Sequence, residues 1–164
     1  MTRSPINLDN VYENNLGTFK KISDTVLPVS YPEKFFSDQF STDAKQKELY
    51  FSKLAYFGEV AVGGVRAKLI ANKSKGVKAA GVYIEILVVL EPYRSKGIGS
   101  KLLEYVIDEC KNHFQHQIFV HVATNNSEGL KWYETKGFVK QEELKDYYKD
   151  TRGSPDAVVL CLTM

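Results

Sequence analysis

The residues with the clearest chemical promise are Arg94-Ser95-Lys96-Gly97-Ile98-Gly99, between a β-branched run ending at Leu90 and an amphipathic segment beyond Gly99. A turn from strand into helix leaves several N–H groups unpaired at the helix start, where the macrodipole is positive. An anion, phosphate above all, suits such a place. Gly97 and Gly99 carry no Cβ to hold phosphate oxygens away from the backbone. Arg94 and Lys96 add charge, and Ser100 adds a hydroxyl. Two common phosphate ligands are excluded by spacing. A dinucleotide fingerprint needs glycine where Leu102 stands, and a triphosphate loop needs Gly-Lys-Ser or Gly-Lys-Thr after a longer spacer. What remains is Arg-x-x-Gly-x-Gly feeding a helix. Alone, it could also be a softened β–α turn that binds nothing.

Around this turn the chain alternates strand and helix. A short strand at 6–11 leads to a helix at 14–26, with Leu16, Phe19, Ile22 and Val26 on one side. Pro28 ends that helix, and 27–32 is an extended link between two prolines. A brief helix follows at 33–39, then a polar loop or frayed helix at 41–48. Strands at 51–57 and 60–70 form a hairpin at Gly58-Glu59, and 71–78 is an exposed basic loop. The run 82–90 is a long strand that ends before Pro92. Leu102, Leu103, Val106, Ile107 and Cys110 mark the helix after Gly99. A strand at 117–124, a helix at 127–136 stopped by Gly137, and strands from Phe138 and at 157–162 complete the order. The pattern β-α-α-β-β-β-α-β-α-β-β implies mixed α/β structure around one central sheet.

Bulk properties add limits. The 164 residues, 43% hydrophobic, fit one domain spanning 1–164 with a substantial core. A net charge of +2 gives no reason to expect a nucleic-acid or membrane surface. The N-terminus lacks a signal-peptide core, and no run is long enough to span a bilayer. Cys110 and Cys161 match no metal or redox spacing, and a reducing, cytoplasmic setting fits them.

The Arg94–Gly99 motif resembles the pyrophosphate-binding turn of GCN5-related N-acetyltransferases. A second segment, Asn126, Gly129, Tyr133 and Gly137-Phe138, is similar to that family's Asn…Tyr…Gly-Phe signature. The resemblance implies that fold, with helices on both sheet faces, and acetyl-CoA as cofactor. The turn, including Ser95, Ile98 and Ser100, would hold the pyrophosphate, and Asn126 and Tyr133 the pantetheine arm and sulfur. The backbone at Leu87 and Val89 would complete the cofactor site, the N–H near Leu87 facing the acetyl oxygen. Asn126 could also be an N-cap, and Tyr133 a packing residue; both readings can hold at once.

Within the family the chain looks like the San-type enzymes, catalytic subunits of the NatE N-terminal acetyltransferase. Leu27-Pro28-Val29-Ser30-Tyr31, Leu54-Ala55-Tyr56-Phe57, Val62-Gly63-Gly64, Val82-Tyr83-Ile84, Val120-His121-Val122 and Tyr147-Tyr148-Lys149 carry this likeness in one collinear series. It implies that Leu27, Pro28, Val29, Tyr31, Tyr147 and Tyr148 grip the acceptor peptide, and that Tyr83 and His121 order a water that takes the amine's proton. It also implies partners of the NatA type, catalytic and auxiliary, at the ribosome. The chemistry agrees. An α-amine with a pKa of roughly 8 needs only a mild base, whereas a lysine amine near 10.4 needs more help. Direct transfer needs no protein nucleophile, and no cysteine or serine stands out as one.

Glu85 departs from the pattern, which has an apolar methionine there, and Leu27 replaces a phenylalanine. By strand alternation Tyr83, Glu85 and Leu87 share one face, and Ile84, Ile86 and Val88 the other. Glu85 could then be a base, a clamp for the acceptor ammonium, or a rim charge. Three functions are compatible with these residues: an N-terminal acetyltransferase for chains beginning Met-apolar; a lysine or small-amine acetyltransferase with Glu85 as base; or a weakly active acetyl-CoA-binding subunit of a ribosome-associated complex.

Overall fold

The computed structural model describes residues 5–27, 31–37, 49–70, 81–145 and 156–164. The elements are β1 (Ile6–Asn10), α1 (Leu16–Val26), α2 (Glu33–Ser37), β2 (Tyr50–Phe57), β3 (Val60–Ile70) and β4 (Gly81–Val89). A 3₁₀ turn (Glu91–Tyr93) leads to α3 (Ile98–Asn112), β5 (Gln117–Ala123), α4 (Ser127–Thr135), β6 (Val139–Leu144) and β7 (Ala157–Thr163). The expected order holds, with boundaries moved by one or two residues. The expected loops at 41–48 and 71–78 lie outside the described residues.

Seven strands form one sheet in the order β1-β2-β3-β4-β5-β7-β6. All neighbours are antiparallel except β4 and β5. That parallel pair must be joined by a crossover, and α3 supplies it. On one face α3 packs Leu102, Leu103, Val106 and Cys110 against Val82, Ile84, Ile118 and Val120. On the other, Phe19 and Ile22 of α1 and Phe36 of α2 meet Leu54, Ile86 and Val88. Each such buried side chain contributes roughly 1.5–3 kcal/mol of transfer free energy, which offsets chain ordering.

Two irregularities in β4 shape the space between it and β5. First, Arg66 pairs with Ile86 and Ala67 with Ile84, so Glu85 is an extra residue on a β-bulge. A bulge reverses side-chain alternation beyond it. Val82 and Ile84 therefore face α3, while Ile86 and Val88 face α1, and Leu87 and Val89 turn to the α3 side. Simple alternation had put Ile84 with Ile86 and Val88, and Tyr83 with Leu87; the extra residue overturns both pairings. Second, β4 pairs with β5 over only three positions, Val82 to Ile84 against Ile118 to Val120. Past the bulge the two strands part.

Candidate active site

A cleft of about 990 Å³ fills the gap between β4 and β5. One end is lined by Val26, Leu27, Tyr31 and Glu85, and the other by Arg94, Ser95, Gly97 to Ser100, Asn126 and Tyr133. Along its floor the β4 backbone is a source of donors. The Leu90 N–H bonds the Val62 carbonyl at 2.8 Å, toward β3. Amides alternate direction along a strand, so those of Val89 and Leu87 point the other way, into the gap.

The glycine turn is built to receive an anion. Ser95 (φ 64°) and Gly97 (φ 86°) are left-handed, which curls the chain so that successive N–H groups converge. Gly97 is the N-cap of α3 and no side chain caps that helix. A Cβ on Gly97 would meet nothing within 4 Å, so backbone conformation rather than space demands glycine there. Gly99 serves differently from the sequence expectation. A Cβ there would stand 3.2 Å from Cζ2 of Trp132, so its bareness lets α4 pack against the start of α3. Gly97→Ala is accordingly expected to cost roughly 1–2 kcal/mol in denaturant unfolding, through the left-handed backbone alone. Gly99→Ala should instead shift the emission of Trp132, the single tryptophan; an unchanged spectrum would refute the packing role.

Arg94 lines the cleft, and its Nε donates to the Val89 carbonyl at 3.0 Å. Lys96 does not line it: its ammonium lies 5.4 Å from the Phe57 ring. A cation that the sequence reading missed, Lys136, donates to Ser100 Oγ at 2.6 Å on the first turn of α3. Asn126 accepts from the Gly129 N–H at 3.0 Å, capping α4, and it also lines the cleft. Tyr133 is buried between Trp132 and Phe138, which keeps its hydroxyl protonated by raising its pKa. These groups, uncapped amides, cations and a bare turn, fit the diphosphate and arm of acetyl-CoA.

Tyr83 and His121 meet across β4 and β5, the tyrosine hydroxyl hydrogen-bonded directly to His121 Nδ1. His121 lines the cleft while Tyr83 stands behind it. Burial lowers the imidazole pKa from 6.5 to about 4, an effect Glu142 opposes, so the ring is neutral at ordinary pH. Both cysteines are buried, and burial raises their thiol pKa values, which disfavours a thiolate nucleophile.

Glu85 is not alone. Its Oε1 accepts from Nε of Arg66 at 2.9 Å, with the Arg66 side chain 1% exposed and that of Glu85 13% exposed. Arg66 also donates from Nη1 to the Phe35 carbonyl and lies 3.9 Å from the Phe35 ring centre and 4.6 Å from that of Tyr50. Phe35 in turn stacks on Tyr31 at 4.4 Å. A carboxylate already engaged by a guanidinium is a poor candidate for proton abstraction, which counts against Glu85 as base. The signal in the sequence was an arginine inside the apolar strand 60–70. Of the other expected acceptor residues, Leu27 and Tyr31 line the cleft. Pro28, Val29, Tyr147 and Tyr148 lie outside the described residues.

A splayed parallel pair, a bulged strand and an anion-binding turn together form a cleft that suits a phosphate-bearing acyl donor. The sequence model of the acetyltransferase (GNAT) family matches residues 16–138, and the chain belongs to that family. It is 34% identical over 145 residues to "N-alpha-acetyltransferase 50" of Danio rerio, covering 88% of this chain and 80% of that one. It is 33% identical over 166 residues to "Probable N-acetyltransferase san" of Drosophila melanogaster, covering 100% and 84%. Among solved structures, "Arabidopsis thaliana Naa50 in complex with bisubstrate analogue CoA-Ac-MVNAL" superposes with a TM-score of 0.80 at 33% identity, over 98% of this chain and 99% of that one. The chain is an acetyltransferase, and acetyl-CoA is its acyl donor.

Proposed function

We propose that the chain acetylates the α-amine of protein N-termini that begin with Met, an apolar second residue being accepted, as part of a NatE-like assembly at cytoplasmic ribosomes. The observation that carries this reading is one cleft lined by the glycine turn, by Leu27 and Tyr31, and by His121. Likeness over nearly the whole chain to N-α-acetyltransferases supports the same acceptor. An apolar wall of Val26, Leu27 and Tyr31 suits an extended peptide better than a long lysine side chain.

Acetyl-CoA supplies a thioester carbonyl, and the protein's residues do the rest. The glycine turn and Arg94 fix the phosphates, while the N–H groups of Leu87 and Val89 offer donors along the cleft. Leu27 and Tyr31 hold the peptide so that its amine lies near His121. The neutral imidazole, oriented by Tyr83, would take the amine's proton through a water as the new N–C bond forms, while the thioester C–S bond breaks and the coenzyme leaves as its thiol. Tyr133, kept protonated by burial, offers an O–H at the opposite side of the cleft.

The test compares a free Met-Leu peptide with an N-blocked version holding an internal lysine. Acetylation of the free peptide at least tenfold faster is expected. Acetylation confined to the blocked peptide would defeat this reading in favour of lysine transfer.

A further inference from the structure

We infer that the Arg66–Glu85 pair selects the acceptor, presenting a fixed carboxylate that favours a cationic second residue and disfavours an acidic one. This rests on the N-terminal acetyltransferase reading and names the acceptors within it. The placement comes from register. The last β4–β5 pair is Ile84 with Val120, so Glu85 and His121 stand level where the strands part. A peptide whose amine reaches His121 therefore has its next side chains beside Glu85.

Arg66 holds that carboxylate in place, and few other charges line the cleft. Among the described residues lining the cleft, the charged side chains are Glu85, Arg94 and Glu128. Arg94 and Glu128 belong to the glycine turn and to α4, at the cofactor end. Among the described residues, Glu85 is the charged side chain lining the acceptor end, beside Val26, Leu27 and Tyr31. Arg66 lies beneath it, fully covered, and fastens Oε1. Because Arg66 is also tied to the Phe35 carbonyl and ring, and Phe35 to Tyr31, the carboxylate and the apolar wall are held in one fixed relation. A fixed, pre-oriented charge discriminates between ligands better than one that must be ordered on binding. A lysine suits both parts of this surface, since its aliphatic stem packs on Leu27 and Tyr31 while its ammonium reaches Glu85. A glutamate would put like charges together.

The experiment measures kcat/KM for three peptides differing only after Met, as Met-Lys, Met-Leu and Met-Glu, on the full chain. Met-Lys is expected to equal or exceed Met-Leu, with a Met-Lys to Met-Glu ratio of roughly tenfold that shrinks as salt is raised. In Glu85→Gln the ratio should fall to between one and two. Since that variant leaves Arg66 buried without its partner, the paired replacement Arg66→Met with Glu85→Met is measured beside it. Thermal melting checks its fold, and the same loss of discrimination is expected. A ratio unchanged in both variants, or a wild-type preference for Met-Glu, overturns the inference while leaving the N-terminal reading standing. If none of the three peptides is acetylated, both readings fall.

Discussion

Replacement of His121 by alanine is expected to lower kcat by about 10²- to 10⁴-fold, the usual contribution of a positioned general base. The KM for acetyl-CoA should stay near its original value, because the phosphate-binding turn lies at the other end of the cleft. Tyr83→Phe should be milder, roughly tenfold, since it removes one hydrogen bond to the ring and leaves the ring in place. Steady-state kinetics on a Met-Leu peptide separates these outcomes, and turnover undiminished in His121→Ala would remove the imidazole from the reaction. The pH profile adds an independent check. Because burial holds His121 down at about 4, it imposes no acidic limb near 6.5. The limb in kcat/KM should instead track the acceptor amine, near 8.

The same histidine links activity to acid stability. In the unfolded chain it titrates near 6.5, whereas the folded protein keeps it neutral down to about 4. Between those values the unfolded state binds more protons, so stability falls as pH falls through that window. The contribution is complete above about pH 6.5 and amounts to roughly 3 kcal/mol across the window. His121→Ala should therefore show a flatter dependence of melting temperature on pH between 6.5 and 4, whatever its absolute stability.

Much of the fold was legible because local signals and tertiary structure agree. Gly58, Pro28 and Gly137 punctuate the chain where elements end, and the spacing Leu102, Leu103, Val106 and Cys110 gives the buried face of α3 directly. The glycine turn was legible for the same reason, being a local motif whose conformation is set within six residues. What could not be read from spacing is non-local. The Glu85 bulge arises from pairing with β3, so alternation along β4 alone put Leu87 on the wrong face. Gly99 was assigned to phosphate approach because its contact, Trp132, is more than 30 positions away in sequence. Glu85 carried no visible partner for the same reason: Arg66 is on another strand, and only register brings them together.

Arg66→Met alone should cost about 3–5 kcal/mol, because it strands the Glu85 carboxylate in a largely covered site. For a domain of this size that corresponds to a melting temperature lower by roughly 10 °C. The guanidinium also ties α2 to the sheet through the Phe35 carbonyl, beside the Phe36 packing, so loss of order should extend to Tyr31. Adding Glu85→Met should recover most of the loss, since a buried ion pair replaced by apolar groups of similar volume is often neutral or stabilising. The interaction energy from the four melting or denaturant curves then isolates the pair from its surroundings. Were Arg66→Met to melt with the wild type, the pair would be mechanically idle. A double variant no more stable than the single one would instead place the burden on the Phe35 contact. Recovery in the double variant would show that this chain keeps a charged pair for a reason other than stability.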